Sequence, residues 1–265
     1  MTALGEALAK ARVDGRAALI GYLPVGFPDL RVSIEAMRAL VEGGADVVEV
    51  GVPYSDPVMD GPVIQAAADA AVRGGTGLGE ALRAVAAVAE AGAAAVVMSY
   101  WNPIERYGVE RFAADLAAAR GSGAITPDLI PDEAAPWLAA SDAHRLDRIF
   151  LVAPSSPDAR LASTVAACRG FVYAASTMGV TGARDQVGDA AQRLVGRVRA
   201  VAAGFPVCVG LGVSNGEQAA QVASFADGVI VGSAFVRRLL DRPDAAGVAA
   251  VRDLARELAD GVRQG

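Results

Sequence analysis

Histidine and lysine are almost absent from this chain of 265 residues. The sequence has one histidine, His144, and one lysine, Lys10, which lies in a helical pattern ahead of the first predicted strand. One histidine cannot build a histidine-rich metal site, and Schiff-base chemistry requires a lysine in the active site. Any chemistry must therefore use carboxylates, tyrosines, hydroxyls and backbone dipoles.

Cysteine is also scarce, with only Cys168 and Cys208, both in apolar-rich segments. This number and placement suggest no disulfide framework, so we expect a reduced, cytoplasmic protein. Residues 1–11 lack the apolar run of a signal peptide. The sequence also contains no apolar stretch of the length needed to span a bilayer.

Positive charge is in the minority, with 24 lysines and arginines against 30 acidic residues and a net charge of -6. An acidic chain without a basic cluster is a poor candidate for binding nucleic acid or an anionic membrane surface. A phosphate ligand would therefore have to be held locally, by backbone N–H groups.

Apolar runs of strand length alternate with longer helical patterns along the chain. We predict eight strands, at 17–23, 46–51, 94–99, 124–126, 148–152, 171–175, 207–210 and 228–231. This alternation favours a parallel sheet, and strands that are apolar on both faces indicate that helices cover the sheet. No glycine-rich dinucleotide fingerprint follows the first strand, which favours a closed (β/α)8 barrel, a TIM barrel, over an open Rossmann sheet. Without a linker or composition shift, residues 1–265 are expected to form one domain.

Two acidic residues near the end of the second predicted strand are the main catalytic candidates. Glu49 lies within the apolar strand 46–51, where a carboxyl group is costly unless it is paired or functional. Asp60 follows in the loop 55–61, close to Asp56. The structural alternatives are an arginine that pairs with Glu49, and turn or capping roles for the aspartates. Two carboxyl groups in different environments would suit acid and base roles.

Glycine-rich segments follow the last two predicted strands. They read Gly210–Ser214 and Val231–Phe235. A helix that begins near Ser233 would direct free N–H groups and its positive dipole end toward an anion. Ordinary turn glycines and a capping serine are the alternative, but barrels of this class often bind phosphate after strands seven and eight.

A pocket and a loop complete the predicted site. Six side chains at or near predicted strand ends could line a flat apolar pocket, although core packing is the default role for any one of them: Tyr22, Met98, Tyr100, Tyr173, Leu211 and Ile230. The long loop 176–183 after the sixth strand contains two glycines, which is typical of a lid and also of a plain flexible loop.

The segment 48–65, VEVGVPYSDPVMDGPVIQ, closely resembles the signature of the tryptophan synthase alpha chain family. The resemblance continues through 127–131 (PDLIP), 179–182 (GVTG), 210–214 (GLGVS) and 232–234 (GSA). It implies a (β/α)8 barrel with an additional N-terminal helix that caps the barrel bottom. It also implies retro-aldol cleavage of indole-3-glycerol phosphate to indole and glyceraldehyde 3-phosphate.

The resemblance also implies residue roles. Glu49 would be the general acid/base that protonates indole C3 and removes the glyceryl hydroxyl proton. Asp60 would accept a hydrogen bond from the indole N–H, and Tyr173 would lie beside Glu49. The phosphate would be held by the backbone N–H groups of Gly182, Gly212, Gly232 and Ser233, together with the Ser233 hydroxyl.

Further implications concern the partner. Thr181 and Asp56 match a lid contact that closes the site and signals to a beta subunit in an α2β2 complex with an indole tunnel. Pyridoxal phosphate would belong to the beta subunit, with no cofactor on this chain.

One position departs from the family pattern, and other functions stay open. Many relatives carry an acid where this chain has Ser122. The alternatives are a free-standing indole-3-glycerol-phosphate lyase, a phosphosugar isomerase and a non-catalytic activator of the beta subunit.

Overall fold

The fold is a ring of parallel strands. The computed structural model describes residues 1–175 and 184–265, and within these ranges it describes all side chains except those of residues 184–188. The strands are β1 (Ala18–Pro24), β2 (Val47–Gly51), β3 (Ala94–Met98), β4 (Gly123–Ile125), β5 (Asp147–Ile149), β6 (Leu151–Val152), β7 (Val172–Ala175), β8 (Val207–Gly210) and β9 (Gly228–Val231). Over these ranges they form one sheet in the order β5-β4-β3-β2-β1-β9-β8-β7-β6 with parallel pairing.

The two strands at the ends of this order are halves of one segment. Only Phe150 separates β5 from β6; β5 pairs with β4 and β6 pairs with β7, so residues 147–152 close the sheet into a barrel. The interruption at Phe150 divides the fifth predicted strand in two. The predicted (β/α)8 barrel is confirmed, and each predicted strand end lies within one residue of its observed position.

Helices surround the barrel. They are α1 (Ala3–Val13), α2 (Leu30–Glu42), α3 (Pro62–Arg73), α4 (Leu78–Glu90), α5 (Trp101–Tyr107), α6 (Val109–Ala118), α7 (Ala135–Ala143), α8 (Asp158–Ala167), α9 (Arg184–Val201), α10 (Gly216–Ala223), α11 (Ser233–Asp241) and α12 (Ala245–Val262), with a 3-10 turn at Pro131–Glu133. The sequence did not predict α5, which contains Pro103. Proline is tolerated in a first turn because its missing N–H would have no partner there. No helix among the described residues is both long and apolar enough to cross a membrane.

The apolar core has two layers. The larger layer lies between the sheet and its helices, and the smaller one fills the barrel interior. In the interior, Ile20, Val47 and Phe171 pack with Leu4 and Leu8 of α1. Helix α1 therefore plugs one end of the barrel, as the resemblance implied.

Polar contacts anchor α1 at that end. The Leu4 N–H donates to Ser122 Oγ at 3.2 Å, and the Thr2 hydroxyl, which caps α1, donates to Asp147. The only lysine, Lys10, lies on this helix and pairs with Asp14 at 2.7 Å. The lysine therefore belongs to the plugged end, and the opposite, carboxyl end of the strands is the open one.

Candidate active site

Glu49 occupies the interior of the barrel near the carboxyl end of β2. In the sheet register it stands beside Tyr22 of β1 and Val96 of β3. It is fully buried, and no described residue hydrogen-bonds either carboxylate oxygen. The arginine partner considered from the sequence is therefore not found among the side chains of residues 1–175 and 189–265.

The environment of Glu49 favours its neutral form. Water solvates a carboxylate far better than an apolar interior does, so burial disfavours the charged state. Burial raises the pKa of Glu49 from 4.5 to about 8. At neutral pH the group is mostly a carboxylic acid, able to donate a proton.

Asp60 lies on the loop between β2 and α3. Its backbone is held at both ends: its N–H donates to the Pro57 carbonyl at 3.2 Å, and Gln65 Nε2 donates to its carbonyl at 2.7 Å. Partial burial raises the pKa of Asp60 to about 6, an effect that the Tyr100 hydroxyl partly offsets. Asp60 is thus mainly ionised at neutral pH.

Both carboxyl groups line one cavity of about 220 Å³ at the carboxyl end of the strands. The predicted site residues that line it are Tyr22, Glu49, Asp60, Met98, Tyr173, Gly212, Ile230, Gly232 and Ser233. The closed barrel thus brings together residues from both ends of the chain.

Part of the cavity lining is backbone suited to an anion. Gly212 follows β8 with a φ of 69°, a conformation that glycine adopts without strain. Gly232 caps α11 and Ser233 is its first residue. The first N–H groups of a helix lack intrahelical partners and carry the positive end of its dipole, so they suit a phosphate group.

Some predicted residues lie elsewhere. Leu211 is buried in the outer core layer, and Tyr100 stands behind the loop of Asp60, where its hydroxyl accepts the Met59 N–H at 2.9 Å. Neither is among the described residues that line the cavity.

The predicted lid residues are described only in part. Asp56 is exposed and accepts a hydrogen bond from the Ser55 hydroxyl at 2.6 Å. Thr181 and Gly182 lie outside the described residues.

The cavity also has walls that sequence reasoning missed. These are Met59, Gly61, Ile64, Pro127, Leu151 and Ala175. Gly210, from the glycine-rich segment noted in the sequence, lines the cavity as well. Ile64 belongs to the first turn of α3, for which no site residue was predicted from the sequence. Leu151 and Ala175 alternate in β6 and β7 with residues of the outer core, so period-two reasoning on these strands could have found them.

Fold and site together define a class of protein. This is a (β/α)8-barrel enzyme of the acid–base type, with one neutral and one ionised carboxyl group in a cavity at the carboxyl end of its strands. Among the described residues, no group of three or more histidine, cysteine or acidic side chains is arranged to hold a metal ion.

Comparison with known proteins identifies the family. A family model described as tryptophan synthase alpha chain matches residues 8–263. The alpha chain of Thermobifida fusca is 66% identical over 266 residues, which cover 99% of this chain and 98% of the relative. Tryptophan synthase of Mycobacterium tuberculosis superposes with a TM-score of 0.92 at 61% identity, covering 100% of this chain and 99% of that one. The alpha subunit of Legionella pneumophila gives 0.89 at 29% identity, covering 99% and 98%.

The chain belongs to the tryptophan synthase alpha chain family. It is a lyase that cleaves indole-3-glycerol phosphate to indole and glyceraldehyde 3-phosphate in tryptophan biosynthesis, and indole passes to the beta subunit of an α2β2 complex. Alpha chains carry no cofactor, and pyridoxal phosphate belongs to the beta chain. The family resemblance inferred from the sequence is confirmed.

Proposed function

We propose that Glu49 is the general acid/base of the cleavage. The observation that carries this proposal is its carboxyl group, fully buried, without a protein partner among the described residues, and facing the cavity with a pKa of about 8. A pKa close to the working pH is what proton transfer in both directions requires. Neutral Glu49 donates its proton to C3 of the indole ring.

The resulting carboxylate then completes the cycle. It removes the proton from the hydroxyl on the carbon attached to C3, and the electrons of that O–H bond form the aldehyde carbonyl. The carbon–carbon bond breaks, and its electrons restore the aromatic ring. Glu49 ends protonated, so one residue moves the proton from oxygen to carbon without external acid or base.

Asp60 supplies the charge that this step requires. Protonation at C3 places positive charge on the indole nitrogen, and an ionised carboxylate that accepts the N–H stabilises that charge more than it stabilises the neutral substrate. With a pKa of about 6, Asp60 is ionised while Glu49 is neutral. Tyr173, which also lines the cavity, stands beside Glu49.

The remaining cavity residues bind the two ends of the substrate. Gly212, Gly232 and the Ser233 N–H and hydroxyl hold the phosphate, with Gly182 as a further predicted donor. The indole ring is flanked by Tyr22, Met98 and Ile230. Tyr100 acts through its hydrogen bond to the loop of Asp60, and Leu211 packs in the outer core layer. The lid contact between Asp56 and Thr181 remains a prediction.

The decisive experiment uses the complex with the beta subunit and follows glyceraldehyde 3-phosphate release. Glu49→Gln should lower kcat by a factor of about 10² to 10⁴ while affinity for glycerol 3-phosphate persists. The exposed Glu90→Gln, on α4, is the matched control and should behave as wild type. Retained turnover in Glu49→Gln would overturn the assignment, and turnover by the isolated chain equal to that of the complex would favour the free-standing lyase.

We also propose that the chain is one domain that works in the cytoplasm. One sheet and one outer core layer extend over nearly all of the described residues, and Cys168 and Cys208 are buried and unbonded. A single cooperative urea transition, seen alike by fluorescence and circular dichroism, would support one domain. Cell fractionation with an antibody to the chain would test the compartment.

A further inference from the structure

The five tyrosines of the chain differ in how their hydroxyls are satisfied. The hydroxyls of Tyr54, Tyr100 and Tyr107 all have protein hydrogen-bond partners: Asn102 at 3.0 Å, the Met59 N–H at 2.9 Å and Asp115 at 2.7 Å, respectively. Those of Tyr22 and Tyr173 have no such partner in the described parts of the chain, and both residues line the cavity. A phenol that lacks a protein partner in a ligand cavity is available to a polar group of the ligand.

Two glycines set the position of the Tyr22 ring. A Cβ placed on Gly51 would come within 2.5 Å of the Tyr22 hydroxyl oxygen, and one placed on Gly232 would lie 3.2 Å from its Cδ1. The ring therefore extends from the helix-capping Gly232 to the end of β2. Its hydroxyl occupies the space that a side chain at position 51 would fill, two residues beyond Glu49 on the same face of the strand.

The Tyr22 side chain lies where the proposed site assigns no contact to the substrate. In that site the phosphate lies at Gly232 and Ser233, and the indole ring lies at Asp60. The three-carbon chain must run between them, along Tyr22. That chain carries two hydroxyls, of which Glu49 deprotonates the one next to the ring. The middle hydroxyl, which glyceraldehyde 3-phosphate retains, needs another partner.

We propose that Tyr22 is a specificity-determining residue whose hydroxyl hydrogen-bonds the middle hydroxyl of the glyceryl chain. This inference rests on the proposed function of Glu49 and Asp60. Burial raises the pKa of Tyr22 well above its usual value, and the negative charges of Asp60 and Glu49 act in the same direction. The phenol therefore keeps its proton at neutral pH and can serve as a hydrogen-bond donor.

The test removes only the Tyr22 hydroxyl. Tyr22→Phe, assayed in the complex with the beta subunit, should lower kcat/KM for indole-3-glycerol phosphate by about three- to tenfold, as expected for one neutral hydrogen bond. Affinity for indole-3-propanol phosphate, which keeps ring and phosphate but lacks both chain hydroxyls, should change by less than about twofold. Tyr107→Phe, whose hydroxyl bonds Asp115 on the surface, is the matched control and should change neither value.

Two results would overturn the proposal. An equal loss of affinity for indole-3-glycerol phosphate and indole-3-propanol phosphate would mean that Tyr22 only packs against the indole ring. An unchanged kcat/KM would mean that its hydroxyl makes no contact that matters for the reaction. Calorimetry of indole-3-glycerol phosphate binding to Glu49→Gln, with and without Tyr22→Phe, separates this test from the proposed function. Turnover in the Glu49→Gln background refutes the role of Glu49, whereas equal affinities in an inactive background refute only that of Tyr22.

Discussion

The backbone N–H of Met59 donates a hydrogen bond to the hydroxyl oxygen of Tyr100 over 2.9 Å. The Tyr100 ring packs on Tyr54, with centroids 5.4 Å apart, and the Tyr54 hydroxyl accepts a hydrogen bond from Asn102 at 3.0 Å. The loop that carries Asp60 is thus tied to the end of β3 by side chains. Tyr100 acts on the cavity through this loop.

Tyr100→Phe should therefore disturb Asp60. The Met59 N–H loses its acceptor, and Asp60 loses a neighbour that lowers its pKa. We expect kcat/KM to fall about tenfold, the cost of one unsatisfied backbone group, and its acid limb to move to higher pH. Steady-state kinetics over pH, with Tyr107→Phe as the control, measure both effects; an unmoved acid limb would remove Tyr100 from the positioning of Asp60.

The pH dependence of kcat/KM should be bell-shaped. The active form requires ionised Asp60, which is lost as pH falls through about 6, and protonated Glu49, which is lost as pH rises through about 8. The kcat/KM profile reports ionisations of the free enzyme and of the free substrate. The substrate phosphate titrates near pH 6 and overlaps the acid limb, so the alkaline limb near pH 8 is the diagnostic one. A profile that still rises above about pH 8 would contradict a neutral Glu49.

Glu49 should lower the stability of the fold at neutral and alkaline pH. Its pKa is raised from 4.5 to about 8, so its favourable contribution is complete below pH 4.5 and is lost as pH rises to about 8. The free energy of unfolding of Glu49→Gln, relative to wild type, should therefore increase by about 3 kcal/mol between pH 5 and 8.

Urea unfolding of both proteins at several pH values measures this difference. Comparing the change over pH cancels the constant cost of burying the glutamine amide. Glu90→Gln, an exposed control, should show no such trend. Parallel stability curves for wild type and Glu49→Gln would mean that Glu49 ionises normally in the folded protein.

Ser233→Ala should weaken substrate binding more than it slows the chemistry. Ser233 lines the cavity and is the first residue of α11. A hydrogen bond to a charged phosphate is worth about tenfold or more in affinity. We expect KM to rise by that factor with little change in kcat, and inhibition by glycerol 3-phosphate to weaken in parallel. Inhibition by indole, which lacks the phosphate, is the internal control. A fall in kcat with unchanged KM would place Ser233 at the reacting atoms instead.

Much of this molecule was predictable because the relevant signals are local. Strand ends were correct to within one residue, since an apolar strand covered by helices is apolar along its whole length. Helix α5 was missed because it is one short helix with Pro103 in its first turn. The division of the fifth strand at Phe150 was also missed, since barrel closure, rather than local sequence, interrupts the pairing there.

The composition of the chain limits the chemistry that its side chains can perform. With one lysine and one histidine, it left carboxylates, tyrosines, hydroxyls and backbone dipoles as the available groups. Glu49, near the end of an apolar strand, pointed to the carboxyl end of a parallel barrel. Tertiary structure decided the state and surroundings of those groups: Glu49 without an arginine partner among the described residues, Tyr100 behind Asp60 rather than in the cavity, and the Tyr22 hydroxyl over Gly51. These depend on distances between residues far apart in the chain, and therefore on how the barrel closes and what it excludes from water.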